Sequence, residues 1–168
     1  MKTRIHQREV KPEKYDGFVI GGDVGGTHTN IAVAGAKDGA ATLLYSAHFD
    51  SRKLKSLVPA LREALDYGRN SYGIEVDRGV AGVAGAVTDL SRAKPTNLPW
   101  MVDREEIKRE LGLEEFRIVN DFQLIGWGIG SLKEGDLFEA KAGYPGFGET
   151  RAVIGAGTGL GKAILLFD

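Results

Sequence analysis

Twice in this chain a short run of apolar, largely β-branched residues breaks into a glycine-dense turn holding one threonine. The first is Gly17-Phe18-Val19-Ile20-Gly21-Gly22-Asp23-Val24-Gly25-Gly26-Thr27; the second is Ala152-Val153-Ile154-Gly155-Ala156-Gly157-Thr158-Gly159-Leu160-Gly161. β-Branched residues favour strands, and successive glycines turn the chain where a side chain would clash. Each segment therefore reads as a strand entering a turn that leads to a further strand. Glycine also lets backbone N–H groups approach a phosphate closely, and a threonine hydroxyl adds a donor, so two such turns can grip one polyphosphate. Taken singly, either turn is equally well read as a tight hairpin without a ligand. Two of one kind, both with threonine, favour the phosphate.

The chain between them has an α/β pattern. Ile31 and Val33, then Leu43, Leu44, Tyr45, Ala47 and Phe49, predict two strands joined through Lys37-Asp38-Gly39, whose Asp-Gly pair suits a hairpin. Three antiparallel strands in succession are expected. Ser51 is placed to cap a helix in which Leu54, Leu57, Val58, Leu61, Ala64 and Leu65 share one face, ending near Tyr67-Gly68. Val80 to Val87 reads as a small-residue strand, followed by the loop Lys94-Pro95-Thr96-Asn97-Leu98-Pro99-Trp100, which its prolines keep extended. Asp103 with Glu106 starts a helix that Gly112 stops. A buried strand, Phe116 to Val119, then enters Asn120-Asp121 and a glycine-interrupted helix through Ile129; Leu132 to Thr150 is an irregular connection, and Ala163 to Phe167 a last strand.

Composition narrows the chemistry. The 168 residues include no cysteine and three histidines, which excludes a disulfide framework and disfavours a zinc centre. With 42% hydrophobic residues the chain is expected to fold, and 22 Lys and Arg against 23 Asp and Glu provide no field to gather nucleic acid or anionic lipid. Met1 to Asp16 has five Lys and Arg, three Asp and Glu, and no apolar stretch of signal-peptide kind. No apolar run approaches the roughly 18 residues that cross a bilayer. The expectation is a cytoplasmic protein with small-molecule or protein partners, no nucleic acid and no membrane.

Familiar phosphate motifs are absent. Gly161-Lys162 lacks both the earlier glycine and the following Ser or Thr of a Walker A loop, and Gly21 to Gly26 does not form a dinucleotide fingerprint. Asp23 ends the first strand beside its glycine turn. A carboxylate there repels bare phosphate unless Mg²⁺ lies between them; otherwise it stabilises its own turn. Asn120-Asp121 ends a strand at the edge where α/β folds bind ligands. There Asp121 can take a proton from a substrate hydroxyl attacking phosphorus while Asn120 orients that hydroxyl, or Asp121 can simply cap a helix. His6, His28 and His48 are isolated and are read as surface or turn residues.

Four motifs in this order, Asp23-Val24-Gly25-Gly26-Thr27, Thr96-Asn97-Leu98-Pro99-Trp100, Val119-Asn120-Asp121-Phe122 and Gly155 to Gly161, resemble those of bacterial-type glucokinases, members of the actin-like ATPase superfamily. The resemblance covers Gly17 to Asp168. It implies a ribonuclease H-like (actin-like ATPase) α/β lobe, with a mixed sheet of three antiparallel strands followed by alternating helix and strand. It also implies ATP-dependent phosphorylation of glucose, or a similar hexose, at the 6-hydroxyl. On that carry-over Gly22, Asp23, Val24, Gly25, Gly26 and Thr27 form the first phosphate loop, with Asp23 holding Mg²⁺. Asn120 binds the sugar, with Thr96 and Asn97 beside it, and Asp121 is the catalytic base. Gly157, Thr158 and Gly159 form the second phosphate loop near the hinge, with Gly157 also adjoining the substrate.

The chain departs from the family at His28-Thr29-Asn30, where Asn and then Arg are common, and at Ala86-Val87-Thr88-Asp89, which lacks the usual Pro and Gly. Family members continue into a second lobe with a Glu-x-x-His pair, and none of the three histidines here has Glu three places before it. The expected organisation is a charged lead over residues 1–16, a sugar-kinase lobe over 17–150 and the first strands of an incomplete second lobe over 151–168. The isolated chain is then expected to be weak or inactive, and the open edge at Ala163 to Phe167 to pair with another copy or with a separate second-lobe chain. Two other classes remain at this point: a non-catalytic actin-like module that binds sugar or nucleotide, and a related superfamily kinase or ATPase with another substrate.

Overall fold

The computed structural model describes residues 2–141, 150–156 and 160–166. They form two compact units, Met1–Asp121 and Phe122–Asp168. The units divide within the segment that the sequence reading assigned whole to the first lobe.

The first unit is built on a six-stranded mixed sheet. β1 (Lys2–Ile5) lies at one edge, followed in chain order by β2 (Gly17–Val24), β3 (His28–Lys37) and β4 (Ala40–Asp50). After the helix α1 (Val58–Tyr72) comes β5 (Arg78–Val83), and after a small sheet of β6 (Val87–Thr88), β7 (Arg92–Ala93) and β8 (Val102–Asp103) come the helix α2 (Arg104–Leu111) and β9 (Glu115–Asn120). The large sheet has the order β1-β4-β3-β2-β5-β9. β2 with β3 and β3 with β4 pair antiparallel, as expected, while β5 and β9 run parallel to β2. Asp38 and Gly39 both have positive φ, 50° and 75°, as a tight hairpin of this hand requires. Within the expected charged lead, β1 pairs with β4 and extends the sheet.

Both helices cover one face of this sheet. Ile20, Ile31, Val33, Tyr45, Phe116 and Ile118 from the strands meet Leu61 and Ala64 of α1 and Ile107 of α2 in one core. The opposite face carries Gly21, Ala32 and Ala34 with Asp23, Asn30, Ser46 and His48, and it is partly or fully exposed.

α1 differs from its expected bounds at both ends. Ser51 heads only a short 3-10 turn, Ser51–Lys53, because its buried hydroxyl is engaged by Thr29 at 2.8 Å. The helix proper starts at Val58, with Pro59 in the first turn, where a missing N–H is no loss. It then runs past Gly68 to Gly73, whose left-handed backbone (φ 64°) ends it. Gly68 is a packing residue: the Tyr45 hydroxyl occupies the space that its Cβ would need, and donates to the Ala64 carbonyl at 2.9 Å. Burial pushes the Tyr45 phenol well above its ordinary pKa, so the hydroxyl keeps the proton it donates. α2 begins and ends as its cap residues predict, with Asp103 accepting from the Glu105 and Glu106 amides and Gly112 left-handed.

The second unit pairs β10 (Arg151–Ala156) antiparallel with β11 (Leu160–Leu165). α3 spans Asp121–Ile129, and from Phe122 onward it belongs to this unit. The Phe122 ring lies against one face of the hairpin at Gly155 and Gly161: a Cβ at Gly155 would come within 2.7 Å of the ring, and at Gly161 the ring fills that space entirely. On the other face Ile154, Leu160, Ile164 and Leu166 are exposed.

Candidate active site

The carboxyl ends of β2, β5 and β9 are level. Asp23 pairs with Gly82 and Gly82 with Val119; Val24 pairs with Val83 and Val83 with Asn120. With strands spaced 4.7–4.9 Å, the end of β2 and Asn120 are about 10 Å apart across the sheet. Ligands bind at this kind of edge because loops there are freed from ladder pairing while the strands hold them rigidly.

A continuous run of hydrogen bonds ties these loops together. The Ala84 amide donates to the Val24 carbonyl at 3.1 Å, and the Ala84 carbonyl accepts from both the Thr96 amide (2.8 Å) and the Thr96 hydroxyl (2.9 Å). Asn120 Nδ2 donates to the Gly85 carbonyl at 3.3 Å. Gly26 closes the run, since a Cβ there would lie 2.9 Å from the Thr96 carbonyl oxygen and 3.7 Å from Asn97 Cβ. Only glycine allows the first turn and the Thr96-Asn97 loop to approach so closely. Asn97 sits at φ 65°, a left-handed conformation that asparagine tolerates better than most residues.

The turn is held from its other side by the start of β3 and by the 3-10 turn that follows β4. Gly25 N–H donates to the His28 carbonyl at 3.0 Å, and Ser51 N–H donates to the Thr27 carbonyl at 2.9 Å. Thr29 and Ser51, both fully buried, share their hydroxyls beneath it. Sequence reasoning missed Thr29, Ser51, Ala84 and Gly85 as supports, because their role comes from strand register rather than from any motif.

The proposed phosphate loop divides into strand and turn. Gly22, Asp23 and Val24 are residues of β2, and Gly25, Gly26 and Thr27 are the turn. Gly22 is buried, and a Cβ there would lie 3.3 Å from Ile31 Cδ1 and 3.7 Å from Ala81 Cβ, so it packs the sheet. The Val24 side chain is fully buried and only its carbonyl reaches the loop network. Asp23 is exposed on the face away from the helices, where Asn30 Nδ2 donates to its Oδ2 at 3.1 Å. Asp121, half-buried, is the first residue of α3 and directly follows Asn120 at the end of β9. Gly157, Thr158 and Gly159 lie outside the described residues. The first turn, Thr96, Asn97 and Asn120 thus converge on one edge of one sheet, and Asp121 adjoins them.

Among the described residues no group of three His, Cys, Asp or Glu could hold a metal by itself. Mg²⁺ needs no such cage, since it is commonly bound by one or two carboxylates together with phosphate oxygens and water. Asp23 fits that use: it is exposed, and its Oδ1 accepts no hydrogen bond among the described residues.

No helix among the described residues is long and apolar enough to cross a membrane. The family model described as glucokinase matches residues 20–168. The glucokinase of Nostoc punctiforme is 31% identical over 150 residues, covering 89% of this chain and 43% of the relative. Among solved structures, a glucokinase from an Antarctic psychrotroph superposes with TM-score 0.76 at 28% identity, covering 89% of this chain and 46% of its own. A Balamuthia mandrillaris glucokinase in complex with glucose gives TM-score 0.67 at 25% identity, covering 89% of this chain and 44% of its own. The chain therefore spans a little under half the length of the proteins it matches. The fold is the actin-like α/β lobe that the four motifs imply, and with the family model spanning nearly all of its length this chain belongs to the glucokinase family.

Proposed function

We propose that this chain is the sugar-binding, base-bearing half of a glucokinase that transfers the terminal phosphoryl group of ATP to the 6-hydroxyl of glucose. The observation that carries this reading is the hydrogen-bonded run from Val24 through Ala84, Thr96 and Gly85 to Asn120, which gathers three of the four motifs at one strand edge. The relative solved with glucose supports the sugar as acceptor.

On this reading Asn120, Asn97 and Thr96 present amides and a hydroxyl to the sugar hydroxyls. Asp121 takes the proton of the 6-hydroxyl as that oxygen attacks the γ-phosphorus; the bond from phosphorus to the bridging oxygen breaks, and ADP leaves with the electron pair. The Gly25 amide, which donates to the His28 carbonyl, shapes the turn; the amides of Gly26 and Thr27 face the phosphates, and Gly157, Thr158 and Gly159 are assigned to the same task on their sequence pattern alone. Asp23 is the residue that would hold Mg²⁺, which when bound neutralises charge on the β- and γ-phosphate oxygens. A cytoplasmic setting and a place in sugar breakdown go with this activity.

The rest of the catalytic unit corresponds to the other half of the relatives' length. Its packing site is the bare face of the β10–β11 hairpin, Ile154, Leu160, Ile164 and Leu166. Two assays of glucose 6-phosphate formation from glucose and MgATP test the proposal. The 168-residue chain alone is expected to show little or no turnover, since half a cleft orients the reactants only in part. A hybrid in which residues 20–168 replace the matching segment of the Nostoc punctiforme glucokinase is expected to be active. Ordinary turnover by the chain alone overturns the half-unit reading, and a folded hybrid that binds neither glucose nor MgATP overturns the kinase reading.

A further inference from the structure

Asp23 is one end of a row of side chains that the proposed reaction leaves unexplained. Strand register places Asp23 opposite Asn30 and Asn30 opposite His48, so all three project from the sheet face away from α1 and α2. Asn30 Nδ2 donates to Asp23 Oδ2 at 3.1 Å, and His48 Nδ1 lies 2.6 Å from Asn30 Oδ1. The direction of this row follows from its acidic end. An ionised carboxylate only accepts hydrogen bonds, so it turns the amide nitrogen of Asn30 toward itself and the carbonyl toward His48. A carbonyl also only accepts. His48 must then carry a proton on Nδ1, and in the neutral ring Nε2 is left as the acceptor.

We propose that Asn30 and His48 are positioning residues for Asp23. His48 Nδ1–H fixes the Asn30 amide, and that amide holds Oδ2 so that Oδ1 is presented to the magnesium of a bound nucleotide. The inference rests on the reading of Asp23 as the magnesium-side carboxylate. An exposed aspartate otherwise rotates freely and must be ordered at each binding event; a neighbouring amide that orders it beforehand strengthens the ion's site, as supporting hydrogen bonds do for metal-binding carboxylates generally. The three residues are distant in sequence and meet only through the β2–β3–β4 register.

Two measurements on the 168-residue chain test this. Nitrogen-15 spectra in alkaline buffer, where the imidazole is neutral, report which ring nitrogen of His48 holds the proton. The Nδ1–H form is expected, opposite to the preference of the free histidine side chain. Asp23→Asn, which alters a residue His48 does not hydrogen-bond, is expected to release the Asn30 amide and spread the proton over both nitrogens. A native Nε2–H form, or a tautomer indifferent to Asp23→Asn, overturns the proposal, since a merely structural histidine would not respond to that change. Second, MgATP binding is followed at the Gly25 and Gly26 amide signals while Mg²⁺ is varied at fixed ATP. Asn30→Ala and His48→Leu are expected to raise the half-saturating Mg²⁺ roughly 10-fold, and His48→Gln, which retains a donor, to restore it. If Asp23→Asn raises it but the other two do not, the positioning role alone is refuted. If the unaltered chain shows no Mg²⁺ dependence, or Asp23→Asn leaves that dependence unchanged, the magnesium reading of Asp23 fails and the proposal falls with it.

Discussion

The two compact units of this chain are made of similar strands and treat their apolar residues in opposite ways. In Met1–Asp121, Ile20, Ile31, Leu61 and Ile118 are at most 1% exposed; in Phe122–Asp168, Ile154, Leu160, Ile164 and Leu166 are 70–76% exposed. Residue type does not separate them. The first sheet has α1 and α2 over one face, whereas among the described residues Phe122 covers the hairpin from one side only. Burying a side chain of this size contributes about 1.5–3 kcal/mol, so the first unit gains this repeatedly and the hairpin face does not gain it at all. An apolar strand is therefore a request for a partner, and only the topology shows whether it has been met.

The sharpest break between the units is at their junction, where the first unit ends on the proposed base. In the active hybrid, Asp121→Asn is expected to lower phosphoryl transfer by about 10²–10⁴-fold while leaving glucose affinity nearly unchanged. Steady-state assays and calorimetric glucose titration check this together. A change in glucose binding equal to the change in rate would move Asp121 from base to sugar ligand.

Stability should divide the same way. Phe116 is 1% exposed and packs tightly enough that a Cβ on Gly79 would sit 3.0 Å from its ring. Phe116→Ala is expected to destabilise the first unit by about 3–5 kcal/mol. The two tryptophans separate the readouts, because Trp100 is buried in the first unit and Trp127 is exposed in the second. With Trp127→Phe as background, emission during denaturant unfolding reports the first unit alone.

This contrast also explains which features were legible in the sequence. Short-range chemistry was readable: Asp38-Gly39 marked its hairpin, and Asp103, Glu106 and Gly112 bounded α2. The bounds of α1 were not, because Ser51 gives its hydroxyl to Thr29 and Gly68 yields space to Tyr45, and both contacts are tertiary. β1 was read as a charged lead since Lys2 to Ile5 has no pattern of its own; β4 makes it a strand. At the candidate site the motif residues Gly26, Thr96, Asn97 and Asn120 could be picked out, while their supports Ala84, Gly85 and Ser51 could not. Asn30 and His48 lie 18 residues apart and read as unrelated surface positions until the β3–β4 register aligns them.

A smaller effect is expected at the start of α2. Asp103 accepts from the Glu105 and Glu106 amides at 2.9 and 3.2 Å, and Arg92 Nε reaches its Oδ2 at 2.7 Å. Partial burial by itself would raise its pKa, but the Glu106 amide, the Arg92 pair and the Glu105 amide outweigh that and lower it. The folded state thus binds this proton less readily than the unfolded chain does. The stabilisation is complete above about pH 4 and disappears as pH falls through the folded value. Asp103→Ala is expected to lose about 1 kcal/mol at neutral pH. The gap between variant and parent should close in acid, as followed by Trp100 emission; a gap independent of pH would mean the carboxylate's charge plays no part in the cap.

The smallest effect is expected where the apolar residue is largest in exposure. Ile164 pairs with Ala152 on the hairpin face opposite Phe122 and is 71% exposed. In the chain alone, Ile164→Ser removes almost no buried surface, so unfolding of either unit should shift by no more than about 0.5 kcal/mol. In the hybrid the same substitution would leave a hydroxyl against apolar partners and remove a buried side chain, for a loss of about 2–5 kcal/mol by analogy with other large-to-small core changes. Measuring both forms under one set of conditions isolates the contribution of whatever covers this face in the hybrid. Equal, small losses in the two would show that this face stays in water in the hybrid as well, and the difference between the two units would then belong to the fold itself.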